Sequence, residues 1–149
     1  MISTYLADEK DKVWLACFID SEGSIFLSRR FSKKTGNVEY QAFSTIYNNH
    51  KSMIDRAAYL MNTSNVREKK RSIIDRVKRK QTYYTWVSKR DHLLLILEEI
   101  LPYLMAKKKQ AQIMIDWLKS RKIKRKYDEE DNMIFMKLAN LNRKGPIIC

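Results

Sequence analysis

Residues 15 to 23 read Leu15-Ala16-Cys17-Phe18-Ile19-Asp20-Ser21-Glu22-Gly23. Upstream, Asp8 is placed to cap a helix, with Asp11 in its first turn near the positive end of the dipole. The run Val13-Trp14-Leu15-Ala16-Cys17-Phe18-Ile19 is apolar on every side, which predicts a helix buried all round. Gly23 is a natural stop. Asp20 and Glu22 then fall at the C-terminal end, where the helix dipole disfavours negative charge. A divalent cation would offset that cost, because carboxylates and a backbone carbonyl are the hard oxygen ligands Mg²⁺ prefers. The plainer alternative is that Asp20 caps locally and Glu22 points into solvent.

Downstream the pattern changes period. From Ser24 to Ser32, Ile25, Leu27 and Phe31 fall on one face, and Ser24, Phe26, Ser28, Arg30 and Ser32 on the other, as in a half-buried strand. Lys33-Lys34-Thr35-Gly36-Asn37 reads as a hairpin loop. Tyr40 to Tyr47 is the return strand, with Tyr40, Ala42, Ser44 and Ile46 on one side and Gln41, Phe43 and Thr45 on the other. Asn48 or Asn49 caps a second helix, whose apolar set is Met53, Ile54, Ala57, Ala58, Leu60 and Met61. Asn65–Arg71 and Thr82–Ser88 form a second strand pair, joined by a basic segment. Which of Tyr83/Thr85 and Tyr84/Trp86 faces outward is left open by the pattern. Asp91 caps a helix through Leu93–Leu101, Pro102 opens another that runs to about Lys119, and a last helix covers Glu129 to Leu141. The order is α-β-β-α-β-β-α-α-α, an α+β fold, expected to be one domain over residues 1–149.

The 149 residues carry 30 Lys and Arg against 17 Asp and Glu, a net charge of +13. Most of the excess falls in four clusters. These are Arg29–Lys34, Arg67–Lys80, Lys107–Lys109 and Lys119–Lys126. Each alone would be a solvated surface; together in a small domain they suggest a polyanion as partner, held through counterion release. A basic membrane-binding helix fits less well, since the clusters lie largely on strand-like and turn-like segments. No apolar run is long enough for a membrane span, and residues 1–10 lack the pattern of a secretory signal, so an intracellular protein is expected. Cys17 and Cys149 have no metal-site spacing, and three glycines leave no room for GxGxxG or Walker A loops. No organic cofactor is expected. His50 and His92 stand alone and read as a helix-start or surface residue, so no histidine general base is evident.

Leu15–Gly23 resembles the motif that gives the LAGLIDADG homing endonucleases their name. Leu15, Ala16, Ile19, Asp20 and Gly23 match outright, Phe18 and Glu22 are variants, and Cys17 replaces a glycine. The element order is also the family's. Ile46-Tyr47-Asn48-Asn49-His50-Lys51 is similar to its turn into the second helix, and Leu101-Pro102-Tyr103-Leu104-Met105-Ala106-Lys107-Lys108-Lys109-Gln110-Ala111 to its later basic segment. Lys137-Leu138-Ala139-Asn140-Leu141-Asn142 resembles the terminal helix of the single-motif branch.

The resemblance implies a site-specific endonuclease that makes a staggered double-strand break in a long pseudo-palindromic DNA. One motif per chain implies a homodimer, with Trp14, Ala16, Cys17 and Asp20 at the interface between paired motif helices. Glu22 and the Ser21 carbonyl would bind Mg²⁺ or Mn²⁺, and Lys107, Asn48 and Lys51 would order water and phosphate around the reacting centre. The resemblance leaves the register open by one residue, so that Tyr47 is the alternative to Asn48. A four-stranded antiparallel sheet would read bases with Ser24, Phe26, Ser28, Arg30, Ser32, Gln41, Thr45, Arg67, Lys69 and Arg71. Lys108 and Lys109 would hold the phosphate backbone. Two alternatives stand beside this: a non-cleaving RNA-splicing maturase or DNA-binding regulator of the same fold, and a basic RNA-binding module.

Overall fold

The computed structural model describes residues 6–69, 81–121 and 126–143. Helix α1 (Glu9–Glu22) leads directly into a hairpin of β1 (Gly23–Phe31) and β2 (Val38–Asn48). After α2 (Lys51–Leu60) comes a second hairpin, β3 (Val66–Glu68) and β4 (Tyr83–Val87). Then follow α3 (Arg90–Ile100), a 3₁₀ turn (Leu101–Tyr103), α4 (Lys108–Ser120) and α5 (Glu129–Asn142). The two hairpins join into one antiparallel sheet in the order β1-β2-β4-β3, with Gly23 opposite Ile46 and Ile46 opposite Thr85. The expected α+β order is therefore the observed one.

The helices cover one face of this sheet. Ile25 and Leu27 of β1, Tyr40, Ala42 and Ile46 of β2 and Val87 of β4 are buried beneath Leu15, Ile19, Ile54, Leu93, Leu97, Ala111 and Leu138. Phe31, expected among them, is 65% exposed. It lies at the hairpin end, beyond the reach of the helical layer, opposite exposed Val38. The edge strand β1 is covered by α5: Asn142 Nδ2 donates to the Ile25 carbonyl at 2.8 Å, and Arg29 stacks over Phe135 at 4.6 Å while donating to Asn132. Closing an edge in this way removes a template for strand addition.

Three helix boundaries differ from the pattern reading. The α2 N-cap is His50, and Asn48 supports it by accepting from the His50 N–H at 2.8 Å. Lys89, not Asp91, is the N-cap of α3; Asp91 sits in the first turn, where the dipole still favours it. Pro102 opens only the 3₁₀ turn, and the chain is extended at Leu104 before α4 begins at Lys108. That interruption matters, because it turns Met105–Lys107 toward the end of α1. His92, for its part, is half-buried and bonds the Met61 carbonyl through Nε2 at 2.6 Å.

Candidate nucleic-acid interface and acidic centre

Gly23 joins α1 to β1 in an extended conformation, so a left-handed stop is not what requires glycine. Space is. A Cβ on Gly23 would stand 2.9 Å from the Ile19 Cα and 3.1 Å from the Thr45 carbonyl oxygen, both backbone atoms that cannot yield cheaply. The glycine lets the sheet meet the helix end, and the residues just before it are delivered to the rim of the sheet.

Asp20 and Glu22 fare differently there. The Asp20 carboxylate accepts from the backbone N–H of Met105 at 2.8 Å and of Lys107 at 2.9 Å. Lys107 Nζ in turn donates to the Asp20 carbonyl at 2.7 Å, satisfying a helix-terminal acceptor. Asp20 is thus a structural anchor, and the 104–107 segment supplies the compensation that the helix dipole demands. Glu22 is exposed and has no hydrogen-bond or ion-pair partner among the described residues. Ser21 spends its hydroxyl on the carbonyls of Cys17 and Phe18. Beside the helix end, β2 carries Asn48 two residues past Ile46, the partner of Gly23. Lys51 is paired with Asp55 at 2.9 Å, one turn along the exposed side of α2. The helix end therefore gathers Glu22, Ser21 and Lys107, with Asn48 close in register, whereas Lys51 is committed to a neighbour on its own helix.

No group of three or more His, Cys, Asp or Glu able to hold a metal occurs among the described residues. The donors at this end are one free carboxylate and backbone carbonyls, all hard oxygen. Such a set suits Mg²⁺, which keeps several waters and takes one or two carboxylates together with substrate phosphate oxygens.

The uncovered face of the sheet alternates as the strand pattern requires. Ser24, Phe26 and Ser28 are half-buried on it and Gln41 is exposed. Thr45 also belongs to this face, but it is only 8% exposed and its hydroxyl is paired with Ser24 at 3.0 Å, so it offers little to read with. Arg30 pairs loosely with Glu39 across the hairpin at 3.5 Å. Ser32 has left the strand and takes the Thr35 N–H in the loop. Thr85 and Val87 are buried, which turns Tyr84 and Trp86 outward and resolves the parity of β4. Arg67 lies 5.9 Å over the Trp86 ring and Lys69 5.8 Å over Tyr47. Arg71 lies outside the described residues, as does most of the second basic cluster. Lys108 and Lys109 are exposed in the first turn of α4.

Phe43 shares the outward face with Gln41 and Thr45, as the alternation placed it, although it was not among the residues expected to read bases. Tyr47 continues the same parity two residues beyond Thr45, and Tyr84 and Trp86 complete the face.

Among the described residues, helix α1 is not covered all round. Leu15, Ala16, Phe18 and Ile19 are buried, whereas Val13 is 45% exposed and Cys17 is exposed. A shallow groove of about 690 Å³ runs along this open side, lined by Glu9, Lys10, Val13, Trp14, Cys17, Phe18, Ser21 and Met53. Of the four residues expected at a partner helix, Trp14 and Cys17 line this groove. Ala16 is fully buried within the chain and has no surface to offer, and Asp20 faces the 104–107 segment.

No family model matches the sequence, and no curated protein matches it by sequence. Solved structures do match. The homing endonuclease I-CvuI, crystallised on the I-CreI target with Mg present and the DNA uncleaved, is 20% identical, with a TM-score of 0.73 over 95% of this chain and 89% of that one. The archaeal intron-encoded homing endonuclease I-Vdi141I, complexed with DNA, is 15% identical, with a TM-score of 0.76 over 95% and 89%. The LAGLIDADG homing endonuclease I-SmaMI, bound to cleaved DNA, is 17% identical, with a TM-score of 0.67 over 92% of this chain and 45% of that one. At these identities the likeness is one of fold, and the fold is that of the LAGLIDADG homing endonucleases.

Proposed function

We propose that this chain is a single-motif LAGLIDADG homing endonuclease, which binds double-stranded DNA as a homodimer and makes a staggered, site-specific double-strand break. The observation that carries the reading is Glu22: an exposed carboxylate without a partner among the described residues, held at the rim of the sheet by a helix end where Asp20 is fully engaged. An unpaired acid beside a polyanion-binding surface weakens binding unless it does something else.

Phosphodiester hydrolysis by water needs charge stabilised on the leaving 3′ oxygen and on the non-bridging oxygens. Mg²⁺ or Mn²⁺, held by Glu22 and the Ser21 carbonyl, would supply Lewis acidity and an activated water. Lys107, fixed at its backbone by Asp20, presents its ammonium at the same helix end, where it is suited to steady phosphate charge. Asn48 would orient water beside it; Lys51 would first have to leave Asp55.

One free acid per chain is half of a paired centre. The groove along α1, open at Val13, Trp14 and Cys17, is the surface on which a second copy would bring its own Glu22 to the axis. I-SmaMI, of which this chain covers under half, is long enough to contain the fold twice. The sheet, with Ser24, Phe26, Ser28, Arg30, Gln41, Arg67 and Lys69, would lie in the major groove, and Lys108 and Lys109 on the backbone.

The test is a supercoiled plasmid carrying duplex DNA from the insertion site of the coding sequence, incubated with Mg²⁺. Wild type is expected to linearise it with staggered ends, while Glu22→Gln binds with equal or greater affinity and leaves it intact. Cleavage by Glu22→Gln at the wild-type rate would refute the assignment.

A further inference from the structure

The open face of the sheet divides into two halves along the strands. Toward the hairpin loop the facing pairs are Ser28–Gln41 and Arg30–Glu39, all hydrogen-bonding groups. Toward the Gly23 end, where Glu22 lies, the outward residues are Phe26, Phe43, Tyr47, Tyr84 and Trp86, together with Ser24 and Thr45, whose hydroxyls are bonded to each other at 3.0 Å. Phe26 stacks on Phe43 with centroids 5.3 Å apart and 16° between planes. Tyr47 stacks on Tyr84 at 5.1 Å, and Tyr84 leans on Trp86 at 5.5 Å.

Each ring packs against at least one other ring, and Arg67 and Lys69 lie over Trp86 and Tyr47. Side chains stand roughly perpendicular to a sheet, so what the rings turn outward is their edges. Single-stranded nucleic acid is held by bases lying on aromatic faces, whereas rings packed side by side across the strands present edges. The flanking cations nevertheless mark a polyanion as the occupant. On the major-groove edge of a duplex the one apolar group is the C5-methyl of thymine. The two phenylalanine edges have no hydrogen-bonding capacity, so they cannot distinguish any other base feature.

We infer that the Phe26–Phe43 pair reads thymine methyl groups, so that the base pairs of each half-site facing this pair are specified by apolar contact and those toward the hairpin loop by hydrogen bonds. The inference rests on the duplex-DNA reading above and deepens it by naming the base chemistry recognised.

The experiment selects bound duplexes from a randomised library with the full chain in the absence of divalent metal. Thymines in the selected site are then replaced by deoxyuridine one at a time. Enrichment of thymine at the base pairs facing Phe26 and Phe43 is expected, with affinity falling about fourfold for each contacted methyl removed, and no loss at those toward the hairpin loop. Phe43→Ser should abolish the uracil penalty at one position and Phe43→Leu should keep it. Because the substitution is on the DNA, the result does not depend on how well a variant folds. A selected duplex indifferent to uracil at every position would overturn the inference and leave the DNA reading standing. Retention of single strands in preference to duplex would overturn both.

Discussion

Two residues of the motif make quantitative demands. Gly23→Ala would push a Cβ into the Ile19 and Thr45 backbone, so overpacking of about 1–3 kcal/mol is expected. It would be read as a lower urea midpoint with an unchanged slope. Asp20→Ala would strip acceptors from two backbone N–H groups and release the segment carrying Lys107. A loss of about 1–3 kcal/mol is expected, with faster amide exchange at Met105 and Lys107; unchanged exchange there would contradict the anchoring role. The pairing of an engaged Asp20 with a free Glu22 could not be read from the sequence, because it depends on a chain reversal 85 residues away. Local pattern offers only the dipole argument, which says that both acids need an explanation.

At the scale of elements, alternation and helical period were enough for the strand and helix order, because each element buries one continuous stripe. They failed where a tertiary partner decides. Phe31 keeps the parity of a core residue but has no helix above it among the described residues, and the Pro102 helix breaks because Leu104 is drawn into the core while Asp20 takes the N–H groups of Met105 and Lys107. Two inter-element links set a further expectation. Trp117 Nε1 donates at 2.9 Å to Asp131, a fully buried carboxylate that also closes the capping box of α5. Trp117→Phe should cost about 1–3 kcal/mol by leaving that acceptor short, measurable by thermal or urea unfolding. The second link ties α1 to α3 and the 3₁₀ turn. Burial, then its hydrogen bond to Glu9, raises the Tyr103 pKa, and the bond to Glu99 raises that of Lys12. Both values are higher folded than unfolded, so these contributions are complete below about pH 10 and fade as pH rises through the folded values. The urea midpoint should therefore decline above about pH 10, less steeply in Tyr103→Phe.

For the whole molecule, the net charge of +13 suits a polyanion partner, and the groove along α1 is the side proposed for a second copy. Trp14→Glu should abolish self-association, seen by sedimentation, and weaken DNA binding with it; a variant that still sediments as wild type would move the interface elsewhere. The family resemblance implied pairing through Ala16, but that side of α1 faces the chain's own core. The central claim is that two chains, each giving one Glu22, make one double-strand cut. It is tested most directly by mixing wild-type and Glu22→Gln chains in equal amounts at fixed total concentration, after full subunit exchange, and measuring the initial rate of linear product. Random pairing predicts that the rate falls to about one quarter or less of wild type. A rate of about one half would mean that each chain cuts alone, and would contradict the account.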